Sequence, residues 1–487
     1  VNMEESLMKV ERWGIFETTL NGPSEGNPFL DISIRAEFKY KNKKVEVEGF
    51  YDGDGIYKIR FMPDSEGEWS FITASNINSL DRIEGKFLCI PPSQNNHGPV
   101  RVVNTFHFAY EDGTPYYPIG TTCYAWAHQG EELEKQTLDT LKKSPFNKLR
   151  MCVFPKHYEF NHNEPEYYPF EGSPERGWDF SRFNVEFFRH MEVRIKDLQD
   201  LGIEADMILF HPYDRWGFST MDGEFDDRYL KYVIARFSAF RNVWWSLANE
   251  YDIMRSKTLL DWERFARIIR ENDPYGHLRS IHNCRVMYDF TKPWVTHCSI
   301  QRVDWYKTAE NTDTWRETYK KPVVIDECAY EGNIHRGWGS ITGEEMVRRF
   351  WEGYVRGGYV GHGETYLHPE DILWWSKGGK LYGKSPERIA FLRRIIEEGP
   401  NYGINPIHMY TDIPCGGIEG EYYIIYLGFN QPAYRIFKLP SGIRFKVEII
   451  DTWDMTVEEV PGIYEGEFKI CLPSKPYIAI RLKQIKE

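Results

Sequence analysis

The chain has 487 residues, 41% hydrophobic and 27% charged, the balance of a globular protein with two or three domains. A net charge of −13 with no basic run argues against a nucleic-acid partner, and no stretch approaches the roughly 18 apolar residues of a membrane span. Aromatic residues make up 16%, with 16 Trp and 31 Tyr, which serves either broad cores or a site where rings face sugar C–H surfaces.

Residues 1–100 read as short strands between turns. Ile32–Phe38 and Val45–Glu48 alternate apolar and polar, and the turn Asp52-Gly53-Asp54-Gly55 leads into Ile56–Phe61, a rhythm that predicts an N-terminal β-sandwich. Pro91–Pro99 reads as a linker. Between residues 101 and 403 apolar strands alternate with amphipathic helices. The predicted strands are 117–122, 146–153, 205–210, 243–248, 278–281, 295–300, 322–326 and 359–362. The predicted helices are 131–143, 187–201, 227–240, 259–271, 312–319, 344–354 and 386–398. Eight near-continuous apolar strands alternating with helices predict an α/β fold, a (β/α)8 TIM barrel. An open doubly wound sheet is the alternative, but no G-x-G-x-x-G follows the first strand. Residues 404–487 return to strands (422–427, 445–450, 477–482) and predict a small C-terminal β-sandwich.

The eight cysteines are scattered with no C-x-x-C pair, the pattern of reduced, buried thiols. No H-E-x-x-H motif or zinc-spaced cluster occurs, so neither a metal nor another cofactor is expected. The first residues lack a basic start and an apolar core, which predicts a cytoplasmic protein.

In such a barrel the active site lies at the C-terminal strand ends. Strand four runs into Asn249-Glu250 and strand seven into Asp326-Glu327, each placing a carboxylate at the mouth. A retaining glycosidase needs two carboxyl groups about 5–5.5 Å apart, one as acid/base and one as nucleophile. The bland reading of either glutamate is an ordinary strand-end carboxylate, with Asp326 and Glu331 as competitors for the second role. Trp126 and His128 after strand one, His211 and Tyr213 after strand three, His297 on strand six, Tyr330 after strand seven, and His362 and Glu364 on strand eight are candidate sugar contacts. Each lone histidine could instead be a structural residue. Trp374-Trp375 either stacks sugar from the rim or plugs the C-terminal side, and Trp375 is kept as a contact candidate.

These residues resemble the clan A glycoside hydrolases, including apiosidase-like barrels flanked by small β-sandwiches. Asn249-Glu250 matches the acid/base motif, Glu327 the strand-seven nucleophile, and Phe146–Arg150 the segment whose arginine supports that nucleophile. The resemblance implies Glu250 as acid/base, Glu327 as nucleophile, Asn249 and Arg150 as substrate-binding supports, and an oligosaccharide or glycoside as substrate. Two departures stand out. Strand eight ends Gly361-His362-Gly363-Glu364 where the clan often has Trp, and strand six lacks the tyrosine that often contacts the nucleophile.

The expectation is therefore a retaining, exo-acting hydrolase of plant-type oligosaccharides, working on short imported glycans; the aromatic-rich segments are compatible with a homo-oligomer. Two competing readings are a non-catalytic carbohydrate-binding protein on the same barrel, and an amide hydrolase with His211, His297 and Asp326 on a metal.

Overall fold

The structure is a computed structural model, which describes residues 6–304, 306–367 and 370–487. Near the N-terminus two sheets face each other. One has the strand order Met8–Glu11, Glu84–Ile90, Gly67–Ser75, Ile34–Tyr40, Lys43–Glu48; the other joins Phe16–Asn21, Ile56–Phe61 and Phe50–Tyr51. Alternation sends every second side chain inward. Rings therefore meet across the gap, Phe38 on Phe61 at 4.1 Å and Phe16 on Phe87 at 4.3 Å between centroids.

The central sheet is an eight-stranded parallel barrel. Its strands, numbered one to eight, are Gly120–Thr122, Lys148–Cys152, Glu204–Phe210, Val243–Ala248, Arg279–Ser280, Cys298–Gln301, Val323–Glu327 and Tyr359–His362. The hydrogen-bonded order runs five-four-three-two-one-eight-seven-six, and a parallel bridge between His282 and Ser299 joins five to six. All eight coincide with the predicted apolar runs. The helices Glu131–Lys143 and Thr312–Tyr319 match their predicted spans, and the others differ by a few residues at their ends.

Two elements were not legible in the sequence. Val100–Val103, His107–Tyr110 and Pro115–Tyr116 form a small antiparallel sheet below the barrel. From it Phe108 packs against Trp244, His297 and Tyr359, at centroid separations of 5.7, 6.0 and 5.7 Å, and closes the N-terminal end of the pore. A hairpin, Phe170–Ser173 with Gly177–Phe183, follows strand two.

At the C-terminus a six-stranded sheet, in the order Asn405–Pro406, Cys415–Ile418, Tyr422–Tyr426, Ile478–Gln484, Arg444–Asp451, Thr456–Glu465, carries a second ribbon, Tyr434–Lys438 with Glu467–Cys471. It docks on the barrel through Tyr426 stacked on Trp351 at 5.7 Å. The N-terminal sheets dock through charge: Arg60 and Arg236 share Glu192, and Arg236 and Arg189 share Asp52 at 2.8 and 3.1 Å. All eight cysteines are free; six are buried, Cys284 is half-buried and Cys471 is exposed. Among the described residues no helix is long and apolar enough to cross a membrane.

Candidate functional site

The barrel interior carries a polar layer beneath the mouth. Lys148 lies 2.6 Å from Asp326 and 2.9 Å from Asp206, and Arg150 lies 3.3 Å from Asp206 and 3.7 Å from Asp326. All four are buried. Buried charges persist only when matched, and here two cations meet two anions. Burial alone would raise the Asp326 pKa; Lys148 and Arg150 outweigh it and hold the carboxyl well below the usual range.

Arg150 also reaches upward. Its Nη2 donates to Asn249 Oδ1 at 3.0 Å, which turns the Asn249 amide toward Glu250 Oε1, 3.3 Å away. The Asn249 N–H is held by the Phe210 carbonyl and the Tyr251 N–H by that of His282, so the turn after strand four is anchored to strands three and five. Between them Glu250 adopts a left-handed backbone, φ +59°, a conformation that costs a non-glycine residue roughly 1–3 kcal/mol and that clusters at functional sites.

Glu250 and Glu327 both line one cavity of about 100 Å³ at the strand ends. Larger hollows, such as one of about 810 Å³ beside the helices Glu131–Lys143 and Ser385–Glu398, lie on the outer flank and are open. The chemistry therefore belongs to the smaller, enclosed space. Each glutamate accepts a phenol hydrogen, Glu250 from Tyr213 and Glu327 from Tyr124. Their electrostatics nevertheless diverge. Burial raises the pKa of Glu250, and the charge of Glu327 adds to it, against the Cys284 thiol, the Tyr213 hydroxyl and His282. Burial also pushes up Glu327, but His282, with Nε2 3.8 Å from Oε2, the Tyr124 hydroxyl and the Arg150 charge prevail and lower it. The two carboxyls are therefore pushed in opposite directions, Glu250 toward its protonated form and Glu327 toward its ionised form.

Comparison with known proteins bears on this geometry. The model of the apiosidase-like catalytic domain matches residues 103–386. The chain belongs to the apiosidase-like family. Flanking it, two domains of unknown function match, DUF5060 over residues 9–76 and DUF5605 over 411–483. A crystal structure from Bacteroides vulgatus ATCC 8482, of a protein assigned to the glycoside hydrolases without a stated substrate, is 42% identical. It superposes with a TM-score of 0.94 over 98% of this chain and 100% of that one. A family 5 glycoside hydrolase of the same organism shares the fold at 16% identity, with a TM-score of 0.64 over 80% of this chain and 94% of that one. No curated protein matches. Family and relatives together make this apiosidase-like chain a glycoside hydrolase.

Of the residues singled out in the sequence, Glu250, Glu327, Asn249, Tyr213, Tyr330 and Trp375 line the cavity. Arg150 stands one layer below, bonded to Asn249 rather than to Glu327. Six others lie elsewhere. Trp126 is fully buried in the core. His128 stacks on Phe187 at 5.6 Å. His211 faces the Phe154 carbonyl and accepts the Tyr213 N–H at 3.2 Å, so it braces Tyr213 from behind. His297 precedes strand six and packs on Phe108 and Trp244 at the closed end. His362 bonds Thr121 and stacks on Phe146 at 4.6 Å, outside the cavity lining. Burial holds these rings neutral, with the pKa pulled to about 4 for His128, His211 and His297 and to about 3 for His362. Glu364 accepts the N–H groups of Tyr382 and Gly383, beside Glu331, which accepts those of Lys384 and Ser385. This acid pair fastens the segment entering the helix Ser385–Glu398 and lies outside the cavity lining. The competitors for Glu327 are thus engaged elsewhere, Asp326 by Lys148 and Glu331 by this cap. Among the described residues no three His, Cys, Asp or Glu side chains gather as a metal site, so the amide-hydrolase set does not assemble.

Sequence reasoning missed Tyr124, Lys156, Tyr158, His282, Gln301 and Trp338. Tyr124 supplies, from just beyond strand one, the phenol contact absent from strand six, and Trp375 supplies, from the short helix Trp374–Lys377, the indole absent from strand eight. Tyr124 is tied in place by main-chain bonds, its N–H to the Trp375 carbonyl at 3.0 Å and its carbonyl to the Cys152 N–H at 2.9 Å. His282 and Gln301, at the ends of strands five and six, were within reach of the strand-end rule; Lys156 and Tyr158 lie on a loop with no periodic signal.

Proposed function

We propose that the protein is a retaining, exo-acting glycoside hydrolase for plant-type oligosaccharides, with Glu250 as acid/base and Glu327 as nucleophile. Its barrel of residues 101–403 is flanked by sandwich domains of residues 1–100 and 404–487. The observation that carries this reading is that two glutamates lining one cavity have their pKa values pushed in opposite directions. Pure binding has no use for that polarity, whereas double displacement needs it. Glu250 protonates the glycosidic oxygen as the Glu327 carboxylate attacks the anomeric carbon, giving a glycosyl ester and releasing the leaving group. Glu250, now ionised, takes a proton from water, whose oxygen attacks the same carbon and frees Glu327. Asn249, with its carbonyl oriented by Arg150, is aimed to donate to the hydroxyl beside the reacting carbon, a contact that strengthens as charge develops. The cavity's small volume, against the several hundred Å³ of an ordinary ligand cleft, suits one terminal ring and supports exo action.

The test is the fate of the anomeric centre. Proton NMR of the first product from an aryl glycoside should show the starting configuration. A 2-fluoro glycoside should add one sugar mass to the peptide that contains Glu327. Glu327→Ala should abolish turnover, while Glu250→Ala should keep it for activated aryl leaving groups. Inverted product, or full activity in both variants, would refute the assignment.

A further inference from the structure

One cation in the cavity wall is held without an ion pair or hydrogen bond among the described residues. Lys156 Nζ lies 4.5 Å from the ring centroid of Trp375, 4.6 Å from those of Tyr124 and Tyr213, and 5.3 Å from that of Tyr158. The residue is 3% exposed and lines the same cavity as the two glutamates. Lys148, equally buried, is clasped by two aspartates. Among the described residues Nζ of Lys156 makes no ion pair or hydrogen bond. Aromatic faces attract an ammonium through their quadrupoles without taking up its N–H donors. The cage therefore holds the head group in place and leaves those donors free. Two of its rings, Tyr124 and Tyr213, are the phenols that donate to Glu327 and Glu250, which puts the ammonium between the two reacting carboxyls.

The charge count states what the donors can meet. Lys148 and Arg150 are matched by Asp206 and Asp326, whereas Lys156 faces the carboxyl pair of Glu250 and Glu327. A carboxylated sugar would add a further negative charge beside the Glu250 and Glu327 carboxyls.

We propose that Lys156 is a specificity-determining residue that contacts substrate, its caged ammonium donating to a hydroxyl of an uncharged sugar ring held between Glu250 and Glu327. This rests on the glycosidase reading above.

The test compares wild type with Lys156→Met, which keeps the side chain's length and apolar stem within the cage. On a neutral aryl glycoside that wild type cleaves, kcat/KM should fall about 10- to 100-fold, the loss expected for a hydrogen bond from a charged donor. The acid limb of its pH profile should move to higher pH, because the cation that favours ionised Glu327 is gone. Calorimetric binding of the free neutral sugar should weaken in parallel, and wild type should discriminate against the matching uronide. Lys156→Gln, which keeps a donor without the charge, should regain part of the binding but not the original acid limb, and it serves as well if the Met variant folds poorly. Unchanged kcat/KM and pH profile in both variants, or faster cleavage of the uronide, would overturn the proposal. Wild type that cleaves no glycoside would defeat the glycosidase reading instead, and the binding comparison would still judge Lys156.

Discussion

Tyr124, two residues beyond strand one, donates its phenol hydrogen to Glu327 at the end of strand seven, across 203 positions of sequence. Tyr213 makes the same kind of bond to Glu250, yet the two acids are shifted in opposite directions. Burial raises both; for Glu327, His282 and the field of Arg150 outweigh it, whereas for Glu250 the neighbouring charge of Glu327 adds to it.

Replacing Tyr124 by Phe removes a donor from an ionised carboxylate. The depressed pKa of Glu327 should then rise, so the ionised form is lost at a higher pH on acidification, and the acid limb of kcat/KM shifts upward. Hydrogen bonds to charged groups contribute about 1.5–3 kcal/mol, so kcat/KM should fall roughly 10- to 100-fold. Rate profiles on a single aryl glycoside measure both effects, and an unmoved acid limb would contradict the role given to this phenol.

Tyr213→Phe should act on the other side of the bell. The phenol holds down a pKa that burial and Glu327 have raised, so its loss raises Glu250 further and carries the alkaline limb to higher pH. A downward shift of that limb would mean that the bond favours the protonated acid instead.

The barrel itself was legible because strands covered on both faces are apolar throughout, and runs such as Val243–Ala248 and Val323–Ile325 can be little else. The two glutamates were legible for the same reason, since a carboxylate that interrupts such a run marks the mouth. What the sequence hides is direction. His128, His211, His297 and His362 lie on or beside barrel strands, but the pleat, the turn and the end of the pore to which each belongs send them into packing. Tyr124 lies two positions before Trp126, and that offset separates the cavity wall from the core. Lys156 is found only once four rings from distant segments are brought together.

The charged layer under the mouth yields a stability prediction. Asp326→Asn leaves Lys148 and Arg150 facing Asp206 alone and should destabilise the fold by about 3–5 kcal/mol, read as a lower urea midpoint. Adding Lys148→Met restores the balance, with Arg150 and Asp206 still paired, and should recover most of that loss. Additive losses in the double variant would show that the four charges do not act as a unit.

Glu364 should leave a mark on the pH dependence of folding. Burial raises its pKa to about 7 from about 4.5, so the folded state holds a proton that the unfolded chain gives up more readily. Its contribution is fully present below pH 4.5 and disappears as pH rises through 7, about 3 kcal/mol in all. Thermal melts of wild type should weaken across that interval, and Glu364→Gln should flatten the slope. Equal slopes would place the titration on another group.

The left-handed turn at Glu250 sets ruggedness against turnover at a single position. Glycine accepts that geometry freely, so Glu250→Gly should melt above Glu250→Ala, by an amount near 1 kcal/mol at the midpoint, although neither can donate a proton. A laboratory selection that rewarded only survival on heating would therefore drift toward inert variants at this residue, and hardening the enzyme has to begin elsewhere in the molecule.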